Sequence, residues 1–327
     1  MVNLSISRIA HIAEFLHFIG KERVKHKPTA AELFDELDKM KKIFKSDMPK
    51  GKLKKVSLDK SGISDDVFED FVEVAKPNSK YNPFKNSVIK FRNYLIVQVL
   101  YETGFRCAEL LALRLSDIGT DTDNPTLSVV RRHDSKDDPR LKEPTAKTLG
   151  RPVSISIELR NLLNTYIKSH RTQTKVSKTH PFIFVSHKDK EGHYQSGQPL
   201  IQQTINDIFN RIKSGNPERF WGITPHSYRH FFNDQLSARI DEERKVVKKE
   251  VQRLEQAGSH EEAKQYANEN TITKQRELEI RAELNGHSSL DSGEIYLKRT
   301  ARKQAHEIRQ KMQAKLKHMV ERGNNGS

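Results

Sequence analysis

The sequence lacks paired cysteines and long apolar segments. Its one cysteine, Cys107, excludes an intrachain disulfide framework and fits a reducing cytosol. No apolar run approaches the ~20 residues of a membrane-spanning helix, and the first residues have no signal-peptide anatomy. We therefore expect a cytoplasmic protein without a membrane partner, with one large or two ordinary domains.

Acidic residues are the minority among the charged residues. The chain has 58 Lys and Arg against 43 Asp and Glu, which gives a net charge of +15. Such a surface attracts polyanions, and phosphate contacts by Lys and Arg dominate affinity for nucleic acids. A membrane surface is a weaker candidate, because neither terminus has a basic amphipathic helix with an aromatic face. The charge predicts a nucleic-acid partner without separating DNA from RNA, or a binder from an enzyme.

The chain divides at a basic linker. Residues 4–22 have apolar residues at helical spacing, and residues 29–44 predict a second helix. A lysine-rich stretch broken by proline and glycine follows and is typical of a linker. We therefore predict a short helical N-terminal segment with its linker, 1–56, and a catalytic domain, 57–327.

The second domain alternates helical patterns with short strands. A strongly apolar helix is predicted over 91–103, and further helices are predicted over 158–169 and 199–213. Strands are predicted at 126–132, 151–157 and 182–185, from β-branched content and alternation. The fold class expected is α+β: a mostly helical domain with a small antiparallel three-stranded sheet at one edge.

Residues 224–230, Thr-Pro-His-Ser-Tyr-Arg-His, contain the first cluster of chemically active side chains. Thr224 followed by proline is typical of a helix start. His226 and Arg229 are three positions apart and therefore share one helix face. An imidazole and a guanidinium near a helix N-terminus favour the binding of an anion.

Three further residues extend this cluster. Arg106 lies where one predicted helix ends at Gly104 and the next begins, and His287 follows a glycine in Leu-Asn-Gly-His-Ser-Ser. Tyr296 comes nine positions after His287. A phenol, two imidazoles and two guanidiniums without an acidic metal cage suggest phosphate chemistry through a tyrosine nucleophile.

In this order, the motifs Thr-Gly-Phe-Arg-x-x-Glu-Leu, His-x-x-Arg-His, Leu-x-Gly-His-Ser and the late tyrosine resemble the tyrosine recombinase (phage integrase) family. The resemblance covers roughly residues 57–300. It implies a site-specific recombinase that cuts and rejoins double-stranded DNA for a phage or mobile element, and therefore a nucleoid-associated protein. It also implies a 3′-phosphotyrosyl intermediate, no need for ATP or a metal, and a homo-tetramer on DNA.

The resemblance assigns a role to each site residue. Arg106 and Arg229 would clamp the scissile phosphate, and Tyr296 would attack it. His226 would accept the phenol proton or bond the phosphate, while His287 would donate to a non-bridging oxygen. The general acid would be a lysine before the second strand. The six candidate site residues are Arg106, Lys147, His226, Arg229, His287 and Tyr296.

Alternatives stay open for two of these roles. The loop 133–146 is long, so Lys136 and Lys142 compete with Lys147 as general acid. Rival nucleophiles are Tyr194, Tyr228 and Tyr266. His230 is four positions after His226, a spacing that suits zinc, but no third ligand is evident and a packing role is favoured. Glu109 is better interpreted as a partner that orients an arginine than as an acid catalyst.

Two segments depart from the core motifs. Residues 239–281 carry equal numbers of basic and acidic residues and predict a helical insertion, a hairpin that turns near Gly258. We interpret it as a contact for a neighbouring subunit or accessory protein, or as a solvated addition. Residues 298–322 predict a basic C-terminal helix with one apolar stripe, and the resemblance favours its exchange between protomers.

Other functions fit the same motifs. A type IB topoisomerase or a hairpin-end resolvase would use the same chemistry with a different outcome. A non-catalytic DNA-binding protein is the alternative from another class. Only about 56 residues precede the predicted catalytic domain, so the chain is expected to be a fragment or a short member of the family.

Overall fold

The computed structural model describes residues 2–46, 63–132, 137–141, 143–144, 148–189, 195–287, 289, 293–294 and 297. The chain forms two compact units, Met1–Lys60 and Ser61–Ser327. None of the helices in this described part is both long and apolar enough to cross a membrane. The predicted C-terminal helix, 298–322, and most of the predicted linker lie outside the described residues.

The first unit contains two helices, α1 (Val2–Val24) and α2 (Ala30–Ser46), which pack on each other. Asp38 of α2 joins them, because it accepts hydrogen bonds from Lys21 at 3.1 Å and from His17 at 2.5 Å. The hydrogen bond from Lys21, followed by that from His17, lowers the pKa of Asp38. Large apolar side chains, among them Phe15 and Ile43, remain exposed on this unit.

The second unit is built around α4 (Ser87–Thr103). The Asn86 side chain caps this helix by accepting a hydrogen bond from the Ile89 amide at 3.0 Å. Apolar residues on nearly every face of α4 are buried, as expected of a helix at the centre of a domain. They include Leu95, Ile96, Val97, Val99 and Leu100. The prediction of a central apolar helix over 91–103 is confirmed.

Five further helices of this unit are α3 (Asp65–Ala75), α5 (Cys107–Ala112), α6 (Ile157–Ser169), α7 (Gln202–Lys213) and the short α8 (Pro217–Phe220). Helix α7 shows why they form and how they pack: Ile205, Ile208, Phe209 and Ile212 recur at helical spacing and are all buried. Ser156 starts α6 by accepting a hydrogen bond from the Leu159 amide at 3.0 Å.

The sheet has two strands in the described part of the chain, β1 (Thr126–Val129) and β2 (Arg151–Ser154). They pair antiparallel, with Leu127 opposite Val153. The predicted strands at 126–132 and 151–157 are therefore present, although shorter than expected. The third strand of the prediction is wrong.

Residues 182–185 instead make isolated bridges, to Arg114 and to Pro199. The Ile183 amide donates to Leu113 O at 3.0 Å, whereas Phe184 O accepts from the Leu200 amide at 3.0 Å. The segment is thus shared between two different loops. Pro181 precedes this segment and Pro199 lies opposite Val185. Neither proline has an N–H group with which to extend a ladder.

The last helices form an arm on the second unit. Helix α9 (Pro225–Gln256) has 32 residues, and the chain turns at Gly258, with φ +81°, into α10 (His260–Asn270). Helix α10 packs on α9, and α11 (Lys274–Asn285) then leads back to the motif that contains His287. We call the part of α9 after Asp241, together with α10, the hairpin.

Candidate active site

Arg106 occupies the junction between α4 and α5. Gly104 ends α4 in the left-handed conformation, with φ 60° and ψ 24°, and a Cβ at this position would lie 2.7 Å from Phe232 Cβ. Arg106 is the N-cap of α5, and its amide donates to Glu109 Oε2 at 2.7 Å. The predicted helix junction is confirmed, and it leaves the Arg106 side chain 33% exposed.

Glu109 is the buried centre of the candidate site. Its carboxylate lies 3.3 Å from Arg151 Nη1, 3.6 Å from Arg106 Nη1 and 3.8 Å from Arg229 Nη1. The Thr148 hydroxyl also donates to it. Burial by itself raises the pKa of Glu109, but Arg151, Thr148, the Arg106 amide and Arg229 together lower it below the usual value. Glu109 is therefore a carboxylate at neutral pH and orients three guanidiniums.

Arg229 comes from the first turns of α9. Thr224 caps this helix, because its Oγ1 accepts from the Ser227 amide at 3.1 Å, and proline occupies the first position. The predicted helix start is confirmed. Arg229 is 1% exposed; its Nη1 donates to Gly104 O at 3.1 Å and its Nη2 to Asn285 O at 2.8 Å. Its guanidinium thus links the ends of two other helices.

His287 lies directly after the C-terminus of α11. Gly286 ends that helix with φ 63°, and the His287 amide donates to Ala282 O at 2.8 Å. His287 Nε2 is 3.4 Å from Arg229 Nη2. Since a guanidinium can only donate, His287 Nε2 is the acceptor in this contact.

The electrostatics keep His287 uncharged. Burial, followed by the charges of Arg229 and Arg106, lowers the pKa of His287 to about 4. The imidazole is therefore neutral near pH 7. It lines a cleft of about 230 Å³ between α11 and residues 149–151.

Residues 148–151 form a contact that the sequence analysis did not predict. The Leu149 amide donates to Gly286 O at 2.9 Å, and Arg151 Nε donates to Leu284 O at 2.8 Å. These bonds attach the start of β2 to the loop that contains His287. The signal was present: Arg151 is two positions before Val153 and so falls on the buried face of β2, where a charge needs a partner.

The structure thus brings Arg106, Arg229 and His287 together around Glu109. His226 is exposed on the first turn of α9, and its ring packs edge-on against His230 with centroids 4.6 Å apart. Two candidate residues lie outside the described part of the chain, Lys147 and Tyr296. The same holds for three of the alternatives, Lys136, Lys142 and Tyr194.

One rival nucleophile is inaccessible. Tyr228 is fully buried against Phe68, with ring centroids 5.2 Å apart, and against Phe71. Burial raises the pKa of Tyr228 well above its usual value, so its phenolate is strongly disfavoured. Another rival, Tyr266, is on α10 of the hairpin. Among the residues that the structure describes, no group of three or more His, Cys, Asp or Glu is placed to hold a metal ion.

Comparison with known proteins identifies related sequences. The family model described as the phage integrase family matches residues 70–271. Transposase A from transposon Tn554 of Staphylococcus aureus is 32% identical over 146 residues, which cover 44% of this chain and 36% of the transposase. The chain therefore spans about a third of the length of the curated relatives that it matches.

Solved structures with a similar backbone are recombinases. The XerH site-specific recombinase bound to difH substrate has a TM-score of 0.43 and 18% identity, over 72% of this chain and 49% of XerH. A solved fragment of the Tn1549 transposon integrase in complex with circular intermediate DNA has a TM-score of 0.43 and 16% identity, over 93% of this chain and 86% of that fragment.

Proposed function

Because the chain belongs to the phage integrase family of tyrosine recombinases, we propose that it cuts and rejoins double-stranded DNA for a mobile element through a 3′-phosphotyrosyl intermediate. The observation that carries the proposal is the cluster of guanidiniums around Glu109. Three guanidiniums, those of Arg106, Arg151 and Arg229, lie within 3.8 Å of that single carboxylate. A phosphodiester supplies the anion that such a site attracts.

Each described residue contributes a separate function. Arg106 is one-third exposed and contacts the scissile phosphate, whereas Arg229 is buried and acts as a fixed charge behind it. His287, which is neutral near pH 7, donates a hydrogen bond to a non-bridging oxygen as negative charge develops there. None of these groups must change its protonation state during the reaction.

The remaining roles belong to residues taken from the family resemblance. The Tyr296 hydroxyl attacks the scissile phosphorus, and His226 accepts the phenol proton. The bond from phosphorus to the 5′-oxygen breaks, and Lys147 protonates that oxygen as it leaves. The products are a 3′-phosphotyrosyl bond and a free 5′-hydroxyl. The 5′-hydroxyl of a partner strand reverses these steps, so the bond energy is conserved without ATP.

A covalent capture experiment tests this chemistry. The protein is incubated with a pool of short duplexes that have a randomised core and a nick in each strand, so that the cut end diffuses away and the adduct accumulates. We expect an adduct that survives detergent and forms in the presence of EDTA. It is expected to disappear in Tyr296→Phe and to persist in Tyr266→Phe, a matched change on α10.

The other outcomes identify the alternatives. Binding of the duplexes without an adduct in the wild type would indicate a DNA-binding protein and overturn the enzyme assignment. A protein that forms the adduct and also relaxes supercoiled plasmids with one copy of the DNA sequence recovered from that adduct would be a topoisomerase. Recombination requires exchange between two captured sites, which is measured as a change in plasmid size.

The proposal includes an assembly of four protomers on DNA, with the basic segment 298–322 exchanged between neighbours. The hairpin is assigned to a contact with a neighbouring subunit or an accessory protein. Its outer half is tested by deleting 249–267 and grafting a short turn, which spares α11. Recombination at the wild-type rate, with and without cell extract, would remove the contact hypothesis.

A further inference from the structure

Arg281 is a buried charge that the proposed chemistry does not use. It lies within α11, and its side chain is 0% exposed. An unpaired charge in such a position is very costly, and even a paired one is seldom more stable than apolar residues of the same volume. The surroundings of Arg281 therefore indicate what the charge is for.

Its first partners are on α11 and α9. Glu277 Oε1 accepts from Arg281 Nε at 3.1 Å and from Nη2 at 2.7 Å. Arg281 Nη2 also donates to Ser237 Oγ at 2.6 Å. The second oxygen of Glu277 accepts from Arg244 Nη2 at 2.9 Å, at the base of the hairpin. The carboxylate thus joins a buried arginine to a partly exposed one.

Its other contacts lead to the candidate active site. Arg281 Nη1 is 3.3 Å from Asn233 O and 3.4 Å from Asn233 Oδ1. Asn233 and Asn285 pair through their side-chain amides, with N–O distances of 3.0 and 2.9 Å. Asn233 Nδ2 donates to Arg229 O at 2.8 Å, and Asn285 O accepts from Arg229 Nη2 at 2.8 Å. Arg281 is therefore two residues removed from the guanidinium of Arg229.

We propose that Glu277 and Arg281 are positioning residues for DNA strand cleavage. The pair fixes the register of α11 on α9, so that Asn285 O holds the Arg229 guanidinium and His287 meets it. A purely apolar contact would hold the two helices together without selecting one register, whereas directional bonds to Ser237 and Asn233 select it. This inference rests on the proposed function, because it gives Glu277 and Arg281 a role in the strand-cleavage reaction.

Arg281 also lies beside Gly293, which precedes the proposed nucleophile in sequence. Gly293, three residues before Tyr296, is buried, and a Cβ built on it would lie 3.1 Å from Leu278 Cδ2 and 3.7 Å from Arg281 Cβ. Gly293 therefore packs on the same turns of α11 that the pair fixes.

The test is a paired substitution that removes both charges and keeps the volume, Glu277→Gln with Arg281→Met. Its matched control is Glu73→Gln with Lys76→Met, which removes an exposed ion pair at the end of α3. The assay measures the rate at which the covalent adduct forms on one nicked duplex, whose sequence is taken from the capture experiment. The affinity for that duplex is measured separately. We expect the buried substitution to slow adduct formation by about 10- to 100-fold without changing the affinity. The exposed substitution should change neither the rate nor the affinity.

A second substrate separates positioning from general loosening. A methylphosphonate at the scissile position has lost one anionic oxygen, so it depends less on the Arg229 charge. If the defect passes through Arg229, the buried variant loses less rate on this neutral substrate than on the phosphodiester. Equal losses on both substrates, or a wild-type rate on both, would overturn the assignment.

A conservative variant covers the case in which the double variant does not fold. Arg281→Lys keeps the charge beside Glu277 but cannot reach Ser237 and Asn233 together, so a partial loss of rate is expected and an unchanged rate contradicts the inference. Absence of any adduct in the wild type overturns the proposed function itself. An active wild type with active variants overturns only the role of the pair.

Discussion

The most informative prediction concerns Glu109→Gln. Both carboxylate oxygens accept hydrogen bonds, one from the Thr148 hydroxyl and Arg151, the other from the Arg106 amide. A glutamine has one acceptor and one NH₂ group, so in either orientation a donor faces a donor. The substitution also removes a negative charge that lies within 3.8 Å of three guanidiniums.

The expected cost follows from the loss of a buried charge partner. Removing one member of a buried ion pair costs about 3–5 kcal/mol, which for a domain of this size is roughly 6–20 °C in Tm. The matched control is Glu73→Gln, which breaks an exposed pair with Lys76 and is expected to cost less than about 0.5 kcal/mol. Urea unfolding at pH 7, followed by circular dichroism, measures both.

The pH dependence gives an independent check. The pKa of Glu109 is lowered in the folded state, so its contribution to stability is complete above the unfolded-state pKa of about 4.3 and is lost as pH falls through the folded-state pKa. The difference in free energy of unfolding between wild type and Glu109→Gln should therefore shrink in acid. A difference of less than about 0.5 kcal/mol at pH 7, equal to that of the control, would refute the central role of this carboxylate.

Four further predictions concern stability and are measured by the same urea assay. Tyr228→Phe should leave stability unchanged or raise it by up to about 1 kcal/mol, because its buried hydroxyl has no hydrogen-bond partner in the described part of the chain. Tyr166→Phe should instead cost about 1–2 kcal/mol, since its hydroxyl bonds His187 Nε2 at 3.0 Å and the Val185 amide at 3.3 Å. Gly104→Ala should cost about 2–4 kcal/mol, because its Cβ would lie 2.7 Å from Phe232 Cβ. Gly258→Ala, also at positive φ but with no atom within 4 Å of its Cβ, should cost only about 1 kcal/mol; equal costs would contradict the steric argument. Burial, then Arg92, lowers the pKa of His187 to about 4, so stability should decline as pH falls from about 6.5 towards 4, and His187→Gln should flatten that slope.

The sequence was most informative where local signals were strong. The α9 start at Thr224-Pro225, the turn at Gly104 and the apolar α4 each follow from one or two residues with a definite conformational preference. A β-like composition likewise predicted β1, and alternation predicted β2. The prediction of a strand at 182–185 was wrong, because an apolar, β-branched run has the same sequence pattern whether it pairs with a strand or makes isolated bridges to two loops.

The site was harder to predict than its individual residues. Motif order identified Arg106, Arg229 and His287, but not the contacts that connect them. Those contacts run through backbone carbonyls of Gly104, Leu284 and Asn285, which have no sequence signature. Buried polar residues such as Arg281 were also not singled out, because an arginine in a helix of mixed charge resembles its solvated neighbours.

The long sequence separations within the site have a consequence for synthesis of the protein. Arg229 bonds to Gly104 across 125 positions, and Arg151 bonds to Leu284 across 133. Contacts between residues so far apart in sequence form late in folding, because the chain between them must first be closed into a loop. A nascent chain emerging from the ribosome therefore cannot complete the arginine cluster until Asn285, whose carbonyl oxygen accepts from Arg229, has been translated.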